Sequence, residues 1–265
     1  MESNRRTKQK KSPLKSFISR AFTIVCLAVF IYSGYSLASI FLGYHKNRQV
    51  LADAQEIYYD FSDVEILEEE EEIVEGEIRP QFAELQNINS EIRGWISIED
   101  TQINYPILQA ENNDEYLNRN YKGNKSIAGS IFMDYRVDIG AHNLNTILYG
   151  HRMKDGSMFE ELNKFLDKDF FDNHKVVKFD TLYESYDAEI FAVYKTTTDF
   201  DYIQTNFTSD EEYGSLLNEI RENSIYHSDI EINEDDQILT LSTCDYELDP
   251  REGRLVVHAK LVKKK

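Results

Sequence analysis

The strongest constraint on the fold of this chain is an uncharged stretch near its N-terminus. Residues 21–44, AFTIVCLAVFIYSGYSLASIFLGY, contain no charged side chain. A helix of these 24 residues is about 36 Å long, which is enough to cross a bilayer core of about 30 Å. A cleaved signal peptide has a shorter apolar core and a small-residue cleavage site, and no clear site of that kind follows here. The sequence therefore predicts an uncleaved membrane anchor.

Basic residues in front of this stretch predict its orientation. Residues 1–20 contain seven Lys and Arg side chains, and positively charged flanks stay on the cytoplasmic side of a membrane. We therefore expect a single-pass protein of the cell membrane, with a cytoplasmic N-terminus and an extracytoplasmic body. In this division residues 1–20 are a basic tail, 21–44 the anchor, 45–79 an acidic juxtamembrane linker and 80–265 one folded domain.

The distribution of charge excludes one class of function. Residues 1–48 hold nine of the 29 basic residues but only one of the 48 acidic residues, so residues 49–265 carry a formal charge of −27. Nucleic-acid binding requires a basic face, so no nucleic-acid partner is expected. The five consecutive glutamates Glu68–Glu72 repel one another and predict a spacer that holds the domain away from the membrane.

Beyond Pro80 the sequence is dominated by short runs with the composition of β-strands. Most of these runs are bounded by turn residues. Eight candidates follow one another along the chain: GWISIED, INYPIL, GSIFMDY, NTILYGH, KVVKFD, AEIFAVYKTTT, QILTLSTC and RLVVHAKL. Many short strands with few helices are typical of a β-barrel. We therefore predict a mainly β fold, a closed or nearly closed barrel that carries helices.

Three segments of this region have helical patterns. The first begins at Pro80 and is expected to end before a turn at Gly94. The second covers residues 157–171, with apolar side chains on one face. The third, residues 209–223, opens with a Ser-x-x-Glu capping signal.

Cys244 is the only cysteine outside the membrane segment, since the other, Cys26, lies within it. A single thiol facing an oxidising space is either an inert, buried small hydrophobe or a reactive group. Apolar strand residues lead into Cys244 and a polar loop follows, which predicts a thiol at a strand–loop junction, where scaffolds present reactive groups. A nucleophilic cysteine acts as the thiolate and therefore needs a cation nearby.

Arg254 is the candidate for that cation. A loop of nine residues, 245–253, separates it from Cys244, so an antiparallel pairing of the flanking strands places the guanidinium beside the thiol. A guanidinium stays charged, and its forked donors can stabilise a carbonyl oxygen that becomes an oxyanion. The alternative is an ordinary arginine at a strand edge.

A general acid is expected among the histidines, and two of them are serious candidates. His151 follows an apolar strand that ends at Gly150, and a residue in that position can reach a cleft. His258 lies on the same strand face as Arg254. The pattern of residues leaves both open. No CxxC or HExxH spacing occurs, so neither a metal site nor a cofactor is expected.

Taken together, these motifs resemble a known family. YGHRMKDGSMF, TLSTC and the arginine that opens RLVVHAKL are similar to the signature of the class B sortases, membrane-anchored cysteine transpeptidases of Gram-positive-type bacteria. The similarity extends upstream through INSEIRGWISIEDTQINYPILQ, NNDEYLNRNY and GSIFMDYR, and covers residues 80–262. It implies a sortase-type eight-stranded β-barrel with an N-terminal helix and a helix before the cysteine strand. It also favours His151 as the catalytic histidine, with residues 80–265 as the catalytic domain.

The chemistry that the resemblance implies is a transpeptidation. Cys244 attacks the Thr carbonyl of an NPxT[N/G/S]-like sorting signal at the C-terminus of a surface protein, and an amine of a peptidoglycan precursor resolves the thioester acyl-enzyme. His151 exchanges the protons, while Arg254 and the backbone N–H of Asp245 stabilise the oxyanion. A pilin-polymerising sortase and a non-catalytic, membrane-tethered binding domain are the alternatives.

The resemblance also implies a set of side chains that line the peptide groove. They come from NNDEYL, TTTDFDYIQTNF and LSTC, and are Asn113, Leu117, Thr198, Tyr202, Ile203 and Ser242. Leu117 and Ile203 are equally suited to the core.

Overall fold

A computed structural model describes the backbone of residues 13–62 and 76–264, and the side chains of residues 17–60 and 76–264. The chain forms two compact units, Met1–Lys46 and Asn47–Lys265. The helices are α1 (Pro13–Ser62), α2 (Ala83–Ile88), α3 (Lys168–Asn173) and α4 (Asp210–Asn223). The strands are β1 (Ile92–Ile98), β2 (Asn104–Leu108), β3 (Ile131–Met133), β4 (Asn145–Tyr149), β5 (Val176–Thr181), β6 (Ser185–Thr196), β7 (Ile238–Cys244) and β8 (Arg254–Lys263).

An apolar helix is present where the sequence predicts the anchor. Among the described residues, Phe17–Asp60 within α1 is the one helical stretch that is long and apolar enough to cross a membrane. The most apolar part of this stretch has a mean hydropathy of 2.0, and none of that part is buried. Its length and composition are compatible with a membrane anchor. Residues 1–12 of the basic tail and the glutamates Glu68–Glu72 lie outside the described residues.

The eight predicted strands all form, and they close into a barrel. Their order around the barrel is β1-β2-β3-β4-β7-β8-β6-β5, and β5 pairs back onto β1. Strands β2 and β3 are parallel, as are β4 and β7, and the other neighbours are antiparallel. The predicted fold class, a closed eight-stranded barrel with helices, is confirmed.

Side-chain alternation separates the inside of the barrel from its outer face. Leu239 and Leu241 of β7 pack with Leu255 and Val257 of β8 in the main core, because successive strand residues point to opposite faces. The intervening residues of these strands face outward, where α4 covers β6, β7 and β8. Leu216, Leu217 and Ile220 of α4 pack there with Phe191, Ile238 and Val256.

Helix α4 begins as its sequence predicts. The Ser209 hydroxyl accepts a hydrogen bond from the backbone N–H of Glu212 at 3.2 Å, which satisfies one of the free donors of the first turn. The predicted helix over residues 157–171 is different, because it is divided in two. A 3₁₀ helix covers Glu160–Leu166, and α3 starts after Asp167, whose carboxylate accepts from the backbone N–H of Phe170 at 3.0 Å.

The predicted turn at Gly94 is wrong, because Gly94 lies inside β1. The chain turns earlier, at residues 90–91. Strand β5 approaches Gly94 so closely that a Cβ there would be 2.2 Å from the carbonyl oxygen of Asp180. Glycine is needed at this position for close strand packing and not for a turn.

Part of the segment that the sequence assigns to the linker belongs to the folded unit. Ala54 and Tyr58 of α1 are buried, and the Tyr58 ring stacks on Trp95 of β1 with the ring centroids 4.2 Å apart. The Tyr58 hydroxyl donates to a carboxylate oxygen of Asp180 at 2.7 Å. The C-terminal part of α1 therefore packs on the barrel.

Candidate active site

Three neighbouring strands bring the predicted catalytic residues to one rim of the barrel. Strands β4 and β7 are parallel, with Tyr149 beside Ser242, so continuing this register places His151 beside Cys244. Strands β7 and β8 are antiparallel, with Cys244 directly opposite Arg254. The predicted hairpin relationship between the thiol and the guanidinium is therefore present.

These three residues line a single cleft of about 190 Å³. Its other lining residues are Asn113, Leu117, Phe132, Tyr149, Gly150, Ser242 and Thr243. A larger depression, of about 630 Å³, is lined by residues between 112 and 127 but contains neither a cysteine nor a histidine. The smaller cleft is thus the candidate active site. Within the described part of the chain, no three His, Cys, Asp or Glu side chains cluster as a metal site requires.

Cys244 is a free, half-buried thiol at the last residue of β7. The Arg254 guanidinium is anchored by its Nη1, which donates to the carbonyl oxygens of Gly253 at 2.8 Å and Arg251 at 3.1 Å. A cation held by main-chain oxygens in the same cleft as the thiol can receive developing negative charge.

His151 has its ring fixed by one main-chain contact. The Nε2 atom lies 2.7 Å from the carbonyl oxygen of Leu117. Because a carbonyl oxygen only accepts, Nε2 carries the hydrogen of this bond. In both the neutral ring and the imidazolium, Nδ1 is then the nitrogen that can gain or lose a proton.

His258, the rival histidine, is a core residue. It is completely buried, with Nε2 2.8 Å from the Tyr194 hydroxyl and Nδ1 2.9 Å from the Thr240 hydroxyl. Burial lowers its pKa to about 3. A neutral ring with both nitrogens occupied cannot serve the cleft, so the structure favours His151 over His258.

Three of the residues predicted to bind the peptide line the cleft: Asn113, Leu117 and Ser242. Tyr202 lies directly behind this lining, with its hydroxyl 2.9 Å from that of Ser242. Burial raises the pKa of Tyr202, whereas the hydrogen bond from Ser242 and the charge of Arg254 act to lower it. Tyr202 is thus within the electrostatic reach of the predicted oxyanion-binding arginine.

Two others are not among the lining residues of the cleft. Thr198 is exposed in the loop after β6. Ile203 is partly buried and packs against the hydrophobic core. The loop after β6 packs its apolar residues Phe200, Ile203 and Phe207 against the cluster formed with α4. Peptide contacts of Thr198 and Ile203 stay predictions.

The role predicted for the backbone N–H of Asp245 needs correction. That N–H donates to the carbonyl oxygen of Gly253 at 2.8 Å, so it is not available to an oxyanion in this arrangement. The Asp245 carboxylate is also completely buried, 2.8 Å from Lys195 Nζ. Burial alone raises its pKa, but Lys195 and the backbone N–H groups of Leu248 and Glu247 outweigh this effect and hold the pKa below its usual value.

Sequence reasoning missed several aromatic residues around the cleft. Phe132 and Tyr149 line it, and their ring centroids are 5.4 Å apart. The phenol of Tyr246 lies near Cys244: burial raises its pKa, and so do the charge and hydrogen bonding of the cysteine. Its position two residues after Cys244, and that of Tyr149 two residues before His151, are the only sequence signals for them.

Comparison with known proteins identifies the class of protein that this barrel and cleft define. The family model of the sortase domain matches residues 96–262 of this sequence. Sortase B of Listeria monocytogenes is 43% identical over 251 residues, covering 95% of this chain and 99% of that protein. The structure of sortase B from Bacillus anthracis is 58% identical, with a TM-score of 0.75 over 84% of this chain and 98% of that one.

A structure of a sortase B in complex with triglycine is 36% identical, with a TM-score of 0.75, and covers 83% of this chain and 99% of that one. The fold and the cysteine-bearing cleft thus define a sortase, a cysteine transpeptidase. Within that class, the chain belongs to the sortase B family. Its reaction is therefore transpeptidation, in which an acyl group of a sorting-signal protein passes to an amine.

Proposed function

We propose that this protein cleaves a sorting signal similar to NPxT[N/G/S] after its threonine and joins the surface protein to an amine of the cell wall through a thioester acyl-enzyme. The observation that carries the proposal is that Cys244, His151 and Arg254, which are far apart in the sequence, line one cleft. A nucleophile, a proton carrier and a fixed cation in one cleft are the groups that acyl transfer through a thioester requires.

In the acylation step, the Cys244 thiolate attacks the threonine carbonyl carbon. The oxyanion that forms is stabilised by the Arg254 guanidinium. The C–N bond of the scissile peptide then breaks, and His151 as imidazolium gives the leaving amine a proton from Nδ1. The contact of Nε2 with the Leu117 carbonyl at 2.7 Å supports this choice of nitrogen.

In the second step, a wall-precursor amine attacks the thioester carbonyl. Neutral His151 accepts the proton that the amine loses, at the same Nδ1 atom. Cys244 leaves as the thiolate, and a new amide bond joins the surface protein to the peptidoglycan precursor. The enzyme returns to its starting state with no cofactor consumed.

The location of the reaction follows from the anchor. We propose that residues 1–20 remain in the cytoplasm, that residues 21–44 span the membrane, and that residues 80–265 form the catalytic domain outside it. The seven basic residues before the apolar helix support this orientation. Within the predicted linker of residues 45–79, Tyr58 and Arg79 both contact the barrel, so we assign these two parts to the catalytic domain.

The test uses the full chain in detergent micelles with quenched-fluorophore peptides of the NPQTN type. We expect cleavage after threonine, a trapped adduct on Cys244 in mass spectrometry, and faster acyl release when triglycine is added. The Cys244→Ala variant should give no cleavage. No cleavage of any such peptide by the wild type, or equal cleavage by Cys244→Ala, would refute the proposal. If a pilin-type lysine amine is a better acyl acceptor than wall amines, the enzyme is instead a pilin-polymerising sortase.

A further inference from the structure

A buried carboxylate behind the cleft connects residues that the proposed mechanism does not use. Asp134 follows β3 directly, in the motif GSIFMDYR, and its side chain has no solvent exposure. Its Oδ1 accepts from the Arg136 Nε at 2.8 Å, and its Oδ2 accepts from the Arg136 Nη2 at 2.8 Å. Both oxygens of the carboxylate are therefore engaged by one forked guanidinium.

The same carboxylate holds one wall of the cleft. Its Oδ2 also accepts from the Tyr149 hydroxyl at 2.9 Å and from the Asn113 Nδ2 at 3.0 Å. Tyr149 and Asn113 both line the cleft. The Asn113 amide is fixed at its other end, because its Oδ1 accepts from the backbone N–H of Tyr135 at 3.0 Å. These two lining side chains are thus oriented from behind by a single buried group.

The guanidinium extends the connection to the loop after β6. Arg136 Nη2 also donates to the carbonyl oxygen of Ile203 at 3.0 Å. Ile203 follows Tyr202, whose hydroxyl is 2.9 Å from that of Ser242, a lining residue. Asn145 supports the same loop by donating to the carbonyls of Tyr202 and Gln204 at 3.1 Å and 3.0 Å. Arg136 is the group that joins this loop to Asp134.

The ionisation state of Asp134 keeps its ion pair with Arg136 intact at neutral pH. Burial alone raises the pKa of Asp134, but the hydrogen bonds from Arg136, Tyr149 and Asn113 outweigh burial and hold the pKa below its usual value. The carboxylate therefore remains ionised and paired at neutral pH. A buried ion pair whose hydrogen bonds are satisfied gives a defined geometry rather than a large gain in stability.

We propose that Asp134 and Arg136 are positioning residues that hold Asn113, Tyr149 and the loop carrying Tyr202 in a fixed arrangement around the cleft, and so determine its affinity for the acyl-donor peptide. This role rests on the proposed function, because it assumes that the cleft binds a sorting peptide. Neither residue lines the cleft, so both act through Asn113, Tyr149 and the loop that carries Tyr202. Small displacements of such walls cost large factors in binding and turnover.

The test compares Arg136→Gln with a matched control. Arg79 and Asp180 form an ion pair of the same 2.8 Å length, with both side chains 16% exposed, and neither lines the cleft. We expect Arg136→Gln to raise the KM for the sorting peptide about tenfold, with a smaller change in kcat. Arg79→Gln should leave KM unchanged at a comparable loss of Tm. Iodoacetamide should alkylate Cys244 at a similar rate in all three proteins, because that reagent needs no peptide site.

Two further variants separate positioning from general stability. Arg136→Lys keeps the charge but cannot engage Asp134 and the Ile203 carbonyl together, so it should show most of the KM increase. Tyr149→Phe removes only a hydroxyl and should raise KM by a smaller factor. Because both residues act through Asp134, the double variant Arg136→Gln/Tyr149→Phe should show less than the product of the two single effects.

The outcomes distinguish this role from the proposed function. If the wild type cleaves no sorting peptide, both proposals fall. If the wild type is active but Arg136→Gln has a native KM, only the positioning role is wrong. It is equally wrong if Arg136→Lys restores a native KM or if Arg79→Gln raises KM as much as Arg136→Gln. If Arg136→Gln does not fold, the double variant Tyr149→Phe/Asn113→Ala replaces it. The positioning role is then wrong if neither single change raises KM, or if the KM increase of the double variant equals the product of the two single increases.

Discussion

The buried hydroxyl of Thr243 donates a hydrogen bond of 2.8 Å to the carbonyl oxygen of Gly150. This bond joins the residue before Cys244 to the residue before His151, where the parallel strands β4 and β7 end. The backbone N–H of Gly150 in turn donates to the Ser242 carbonyl at 3.3 Å. The relative placement of the thiol and the imidazole therefore depends on hydrogen bonds between two strand ends.

We expect Thr243→Val to reduce kcat/KM about tenfold or more, because the Gly150 carbonyl loses its donor and the two strand ends separate. Leaving a buried carbonyl without a partner should also lower the free energy of unfolding by about 1–3 kcal/mol. Thr243→Ser retains the hydroxyl and is the control. Peptide cleavage kinetics and urea unfolding measure both effects, and equal activity of the two variants would contradict the argument.

Arg254→Lys should lose most of the activity. A single ammonium cannot donate to the loop carbonyls and to an oxyanion at once, as the guanidinium fork can. Loss of one oxyanion donor typically costs about 10²–10³ in kcat, and we expect a decrease of that order in peptide cleavage. Arg251→Lys, an exposed change in the same loop, should be near native. A near-native rate for Arg254→Lys would exclude its oxyanion role.

Cys244→Ala should abolish transpeptidation without unfolding the domain. The thiol is only half-buried at the rim of the cleft, so its removal leaves no sealed cavity in the core. We expect a midpoint of thermal unfolding close to that of the wild type, measured by circular dichroism. A large loss of stability would indicate a structural cysteine instead of a nucleophile.

His258 should make stability depend on pH between 7 and 5. Its pKa is about 3 in the folded protein and about 6.5 when unfolded. Below pH 6.5 the unfolded chain binds a proton at this histidine that the folded protein does not bind. The contribution of neutral His258 to the free energy of unfolding is therefore complete above pH 6.5 and is lost as pH falls towards 3. The wild type should lose about 2 kcal/mol more than His258→Gln between pH 7 and 5.

Urea unfolding at the two pH values gives this comparison. His174, whose pKa is raised by its hydrogen bond with Asp100, acts in the opposite sense but is present in both proteins and cancels. His258→Gln should retain catalysis, because the residue lies outside the cleft. Equal pH dependence of the two proteins, or loss of acylation in the variant, would show that His258 has been placed wrongly.

Asp245→Asn should destabilise the loop between β7 and β8. The carboxylate is buried against Lys195 at 2.8 Å, and its Oδ1 accepts from the backbone N–H groups of Glu247 and Leu248 at 3.0 Å and 2.8 Å. We expect a loss of about 1–3 kcal/mol at pH 7. Since the folded pKa of Asp245 is lowered, its contribution is present above the unfolded pKa of about 3.9 and lost below it.

The difference in unfolding free energy between the wild type and Asp245→Asn should accordingly shrink as pH falls below about 4. Glu247→Gln is the control, since its side chain is 72% exposed and pairs with Lys195 at 3.5 Å. A pH-independent difference would mean that shape rather than charge is lost in the variant.

Features that depend on neighbours along the chain are predictable from the amino-acid sequence. The uncharged run predicts the apolar helix, the short β-rich runs predict all eight strands, and the capping signal at Ser209 predicts the start of α4. The pairing of Cys244 with Arg254 belongs to the same group, because a loop of nine residues brings the ends of adjacent strands together.

Features that depend on contacts between distant segments are visible only in the folded chain. The parallel pairing of β4 with β7 brings His151 next to Cys244 although many residues separate them along the chain, and it leaves His258 in the core. The packing of Tyr58 on Trp95, the position of Gly94 inside β1 and the bonding of the Asp245 N–H to Gly253 likewise emerge only in the folded chain. A local pattern shows that a strand will form, but the partner it pairs with is selected by burial and hydrogen bonding over the whole barrel.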